Sequence, residues 1–203
     1  MIIISIDLET TGVNPETDLI LEFGAVVEDT ESLLNYEDVP KFNCIIERGV
    51  LSGSVFALNM NQRIIKILSD FSTADGEERA RMTKEFNIIK EWQLAEKFEQ
   101  WLTVCLVEKN KYSKKNNIAG KNYASFDGRF LVNVPGWKEL VAPLFSRRII
   151  DPSTLYVDWR KDEVLPSLDE CLKRAGIEKG VTHTAVEDAW DVIQVLRNKY
   201  DKI

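Results

Sequence analysis

Cysteine is scarce in this sequence. Cys44, Cys105 and Cys171 are odd in number and far apart, and no CxxC pair joins them. That argues against a disulfide scaffold or a cysteine zinc site and fits reduced, packed thiols in a cytoplasmic protein. Long apolar runs are missing too: nothing approaches the roughly 20 residues that span a bilayer, so no membrane partner is expected. The opening MIIISID has neither a basic region nor a cleavage site and reads as a first strand rather than a signal peptide. Nor is there a surplus of positive charge, since 26 Lys and Arg oppose 33 Asp and Glu for a net charge of −7. The field of the whole molecule therefore gives no support to nucleic-acid binding, although an acidic balance also suits a site awaiting metal ions. Repeats and low-complexity segments are absent. At 203 residues the chain has room for one substantial domain, 1–203, carrying at most an insertion.

What is present is a run of alternating elements. Ile2–Ile6, Leu19–Val27 and Phe42–Ile46 read as three strands joined by short turns, the start of an antiparallel meander. Ala57–Leu68 reads as a helix, and the charged stretch 69–84, lacking clear periodicity, as an exposed loop or small insertion. A stronger helix follows, with Ile88, Ile89, Trp92, Ala95, Phe98, Trp101, Leu102, Cys105 and Leu106 at three- and four-residue steps. Its aromatic residues are expected in the core. A Lys- and Asn-rich connector from Lys109 to Lys121 leads to a strand at Ile118, another follows Arg147-Arg148, and a last helix runs from about Thr184 to Tyr200. Strands first, then strands alternating with helices, indicate an α/β fold with a mixed sheet.

Three acidic motifs lie on this frame. Asp7-Leu8-Glu9-Thr10-Thr11-Gly12 ends the first strand, and residues two apart in a strand share a face, so Asp7 and Glu9 project together. Such a pair suits a hard divalent cation, or is simply a solvated strand end before a Thr-Thr-Gly turn. Asn122–Leu131 opens a helix after the fourth strand, with Ser125 as expected N-cap and Asp127 in the first turn, where the helix dipole favours a carboxylate. In His183–Trp190, Thr184 and Glu187 have the spacing of a capping box, and Asp188 falls on or beside the stripe of Ala185, Ala189, Val192, Ile193 and Leu196. A carboxylate facing a core requires a partner or a metal. His183, the one histidine, titrates near neutrality and suits a general base.

Taken together, DLETTG, NYASFDGRFL and HTAVED resemble the three motifs of the DEDDh exonucleases of the ribonuclease H-like superfamily. Arg148–Asp151 and Ser167–Leu172 resemble that family's segments between the second and third motifs. The resemblance implies an α/β fold with a mixed five-stranded sheet, antiparallel in strands 1–3 and parallel thereafter, with helices on both faces. It implies two divalent cations, Mg2+ or Mn2+, held by Asp7, Glu9, Asp127 and Asp188, with Asp7 bridging the two, and His183 as the base that activates water. It further implies hydrolysis in the 3′→5′ direction on single-stranded DNA or RNA, releasing nucleoside 5′-monophosphates. Thr10, Thr11 and Gly12 would approach the terminal nucleotide, Leu58, Asn59 and Met60 would wedge against its base, and Tyr123 or Phe126 would stack on a base. Relatives include homodimers and subunits of larger assemblies, and both remain open here. A phosphatase would leave Asp127, His183 and Asp188 unexplained. An inactive nucleic-acid-binding or scaffold module would be favoured by a replaced motif residue, and none is replaced.

Overall fold

The computed structural model describes residues 1–108, 115–178 and 184–201. Its centre is a sheet of β1 (Ile2–Thr10), β2 (Ile20–Asp29), β3 (Lys41–Ile46), β4 (Ile88–Ile89), β5 (Asn116–Ala119) and β6 (Phe145–Ile150), in the order β4-β3-β2-β1-β5-β6. The β1–β2 and β2–β3 pairs are antiparallel; β3–β4, β1–β5 and β5–β6 are parallel. The mixed sheet is as expected, with six strands rather than five. The extra strand is β4, two residues that the periodicity had assigned to the following helix, and it pairs Ile88 and Ile89 with Ile45 and Ile46.

Helices cover both faces, which is why the strands read as nearly unbroken apolar runs. Ile2, Ile4, Ile6 and Leu8 of β1 join Phe23, Ala25 and Val27 of β2 in a large core against α4 (Glu91–Glu108) and α5 (Asp127–Leu131). Phe98 of α4 stacks on Trp137 at 5.7 Å and meets Phe23 edge-on at 4.8 Å, so the aromatic stripe is core as expected. Trp92 is the exception: it lies on the outer side of α4 and is 61% exposed. On the opposite face Ile3 and Val26 pack against Ala189, Trp190, Val192, Ile193 and Leu196 of α8 (Ala185–Tyr200). Leu21, Ile45 and Ile88 take α2 (Gln62–Thr73) and α3 (Gly76–Phe86) through Ile64, Leu68, Phe71 and Met82. Tyr156 of α6 (Ser153–Tyr156) and Cys171 and Leu172 of α7 (Leu168–Ala175) close the far side of α8 at Val195. All three cysteines are buried free thiols.

The stretch 69–84 is helical rather than a loop. α2 runs to Thr73, and after the break at Ala74 the Asp75 carboxylate accepts from the Glu78 amide to start α3. α3 buries only Met82 and is supported on its outside by Arg81 pairing with Glu78 and Glu85, so it carries almost no apolar periodicity. The helix expected over 57–68 is two helices, α1 (Val55–Met60) and α2, parted at Asn61. There the side-chain amide donates to the carbonyls of Thr10 and Ala57 at 3.1 Å each, tying the break to the end of β1.

Candidate active site

The odd-numbered residues of β1 share a face with Ile3, whose neighbours belong to α8, so Asp7 and Glu9 point at that helix. α8 supplies Asp188 from its first turn. Ligand atoms of Asp7, Glu9 and Asp188 all lie within 4.8 Å of one another, each side chain half-buried. A bulge in the β1–β2 ladder sits at this point: Glu9 pairs with Glu22 and Thr10 with Ile20, leaving Leu21 as the extra residue. Bulges of this kind re-aim the side chains beside them.

Asp127 approaches from the other side of the sheet. It is 2% exposed, at the start of α5, and its carboxylate accepts from its own amide and from the Leu8 amide. The parallel β1–β5 ladder ends at Ser5, which leaves the Leu8 amide free for that role. Ser125 does not cap α5; its hydroxyl donates to the Asn122 carbonyl, and Phe126 takes the cap position without a side-chain bond. Asp127 stands outside the tight trio yet close enough to Asp7 to act on it electrostatically.

Crowded acids in a poorly solvated place hold their protons. Burial, then Asp127, Asp188, Glu9 and Glu22, push Asp7 well above the ordinary carboxylate value. Burial, with Asp188 and Glu22, raises Glu9 to about 7 against the opposing pull of Asn61 and Arg63. Burial raises Asp127 to about 7 in spite of its two backbone donors. An all-oxygen donor set with this much unrelieved repulsion fits hard divalent cations. His183 lies outside the described residues.

Beside the acids a cavity of about 230 Å³ is lined by Leu8, Glu9, Thr10, Gly12, Val13, Ser54, Phe56, Ala57, Met60, Asn61 and Phe126. Of the residues expected to meet substrate, Thr10, Gly12, Met60 and Phe126 are on its wall. Thr11 is not: it is fully buried, its hydroxyl accepting from the Leu19 amide and its carbonyl from the Ser54 amide. A Cβ at Gly12 would press on the Asp18 carboxylate, which would have to turn aside. Leu58 and Asn59 lie on α1 away from the lining, and Tyr123 is packed in the large core under Gly120 and Gly128. Sequence reasoning missed Phe56, which is 74% exposed at the cavity mouth, and Asn61, whose break from α1 brings it to Glu9. The signal for both was in FALNMN, where an exposed aromatic and a paired Asn flank the residues chosen. It also missed Glu22 and Arg63.

The family model described as exonuclease, of the RNase T type, matches residues 4–196. The oligoribonuclease of Pseudomonas fluorescens is 27% identical over 201 residues, covering 97% of this chain and 92% of that protein. That of Haemophilus influenzae is 27% identical over 197 residues, covering 96% and 90%. The nuclease domain of 3′hExo, a DEDDh family member bound to rAMP, superposes with a TM-score of 0.65 at 20% identity, over 99% of this chain and 92% of that one. Exonuclease I of E. coli, in complex with a dA16 oligonucleotide, gives 0.59 at 16% identity, over 97% and 40%. At such identities the two structures show the fold, while the family model spans nearly the whole chain and all three acidic motifs. The chain belongs to the exonuclease family of the RNase T type.

Proposed function

We propose that this exonuclease removes nucleoside 5′-monophosphates one at a time from the 3′ end of short single-stranded RNA, and of DNA less readily. The observation that carries the reading is the convergence of Asp7, Glu9 and Asp188 within 4.8 Å, with Asp127 beside Asp7, at the edge of a cavity that suits a nucleotide. The oligoribonuclease relatives support RNA as the preferred substrate.

In this reading Asp7, Glu9, Asp127 and Asp188 would hold two divalent cations, Mg2+ or Mn2+. When bound, such ions lower the cost of forming hydroxide and of releasing an oxyanion from a phosphodiester. His183 takes the proton of the attacking water. Phe56 and Met60 on α1 and Phe126 at the head of α5 flank the terminal base, and Thr10, Gly12 and Asn61 line the floor beneath it. The buried thiols agree with a reducing, cytoplasmic location. Among the described residues no helix is long and apolar enough to cross a membrane.

A 5′-labelled single-stranded oligonucleotide, presented as RNA, as DNA and as two- to five-nucleotide RNA with Mn2+, tests this. A ladder shortening from the 3′ end, fastest on short RNA, is the expected result. Faster trimming of DNA than of RNA would overturn the substrate preference. His183→Ala should slow the ladder by about 10²- to 10⁴-fold, the range for loss of a general base, with Mn2+ binding unchanged.

A further inference from the structure

The site described so far leaves the buried charge of Glu22 without a task. Glu22 on β2 pairs with Glu9 across the β1–β2 ladder, and its side chain is 0% exposed. Two carboxylates side by side on one face of a sheet repel, so a role beyond packing is needed to account for it. Three donors converge on it. Oε2 accepts from Arg63 Nη2 at 2.6 Å and from the Ala185 amide at 3.2 Å, and Oε1 accepts from Asn43 Nδ2 at 3.0 Å. These donors come from α2, the first residue of α8 and β3. Glu22 thus ties α2, α8 and β3 to β2 through one carboxylate.

The contact to Ala185 is the informative one. α8 has no side-chain cap of its own, because the Thr184 hydroxyl donates to the Glu187 carboxylate at 2.6 Å rather than accepting from a helix amide. The expected capping box is therefore incomplete, and an amide of the first turn is satisfied by a residue 163 positions away. A carboxylate at a helix N-terminus is favoured by the helix dipole as well. Asp188 sits three residues after Ala185, in the same turn.

We propose that Glu22 is a positioning residue for the metal ligand Asp188: it fixes the first turn of α8 against β2, while Arg63 offsets the charge it adds beside Glu9. β2 holds the other end of α8 by a separate clamp. Glu28 accepts from Arg197 Nε at 2.7 Å, Arg197 Nη2 at 2.6 Å and the Tyr200 hydroxyl at 2.6 Å. That second clamp is far from the acids and provides the control. The inference rests on the metal-site reading above.

The test is calorimetric titration of Mn2+ into the full chain, with thermal melts in EDTA. Glu22→Gln places an amide nitrogen among three donors, and its Mn2+ affinity should fall about 10- to 100-fold, as for other residues that orient a metal ligand. Glu22→Asp keeps the charge for Arg63 but is one methylene short of Ala185. It should fold, show faster hydrogen exchange at the Ala185 amide and bind Mn2+ about tenfold more weakly. Glu28→Gln should lower the melting temperature and leave Mn2+ affinity at the wild-type value. Wild-type Mn2+ affinity in either folded Glu22 variant overturns the proposal, as does an equal loss of affinity in Glu28→Gln. A wild-type chain that takes up no Mn2+ contradicts the metal-site reading itself, which separates the two failures.

Discussion

Gly24 of β2 lies so close to Ala185 of α8 that a Cβ on the glycine would overlap the Ala185 carbonyl and the Val186 amide nitrogen. Gly24 is also the ladder partner of Asp7. One backbone contact therefore sets the distance between the strand that carries Asp7 and Glu9 and the helix that carries Asp188.

Gly24→Ala should push the first turn of α8 off the sheet. Overpacking of this kind costs about 1–3 kcal/mol, and here the obstacle is backbone, which cannot turn aside as a side chain can. The denaturation midpoint should drop accordingly, and activity should fall further than stability alone explains. Measuring both on the same preparation separates the two effects; full activity in a folded Gly24→Ala chain would contradict the account.

Asp7→Asn should move stability and activity in opposite directions. Asp7 is raised by burial and by four neighbouring carboxylates, so the neutral amide relieves repulsion in the metal-free protein. Its melting temperature in EDTA should rise. Exonuclease activity should fall by about 10³-fold or more, as when a member of a cooperating catalytic set is removed.

The pH dependence follows from the same crowding. Glu9 and Asp127 titrate at about 7 in the folded chain and Asp7 well above its ordinary value, whereas unfolded carboxylates titrate near pH ~4. Between roughly pH 4 and 7 the folded state binds protons that the unfolded state has released, so stability of the metal-free protein is lost as pH rises through that window. Melting in EDTA should be lower at pH ~8 than at pH ~5.5, Mn2+ should restore more at the higher pH, and the slope should be shallower in Asp7→Asn. A metal-free melting temperature that climbs across this range because of the site would have the wrong sign.

Phe56 stands largely exposed at the mouth of the cavity, with Met60 one turn further along α1. Stacking of a base on an aromatic ring is worth about 1–3 kcal/mol. Phe56→Ala should therefore raise KM for an oligonucleotide by about 5- to 150-fold with kcat little changed, the pattern of lost uniform binding. Steady-state kinetics on a short RNA reads both constants.

Much of this was legible in the sequence, for reasons that can be named. β1 and β2 are covered on both faces and announce themselves as apolar runs; α4 and α8 carry strong stripes; Asp7, Glu9, Asp127 and Asp188 sit in short motifs whose chemistry is local. What stayed hidden depends on contacts between distant parts. β4 is two residues long and pairs only because β3 lies beside it. α3 buries a single side chain and so shows no period. Thr11 and Tyr123 were expected at the substrate because of their position in motifs, but one is consumed in loop hydrogen bonds and the other in core packing. Glu22, near the start of β2, went unnoticed because its partners Arg63 and Ala185 are 41 and 163 residues away.

The central claim is that Asp7, Glu9, Asp127 and Asp188 form one metal-dependent site that hydrolyses the terminal phosphodiester. Single-turnover digestion of a 5′-labelled single-stranded RNA, with Mn2+ or with EDTA, in wild type and Asp188→Asn, tests it most directly. The account predicts stepwise loss of 3′ nucleotides by the wild type with Mn2+ alone, and a full-length band in EDTA and in the variant. Equal cleavage by wild type and Asp188→Asn, or cleavage that persists in EDTA, would contradict it.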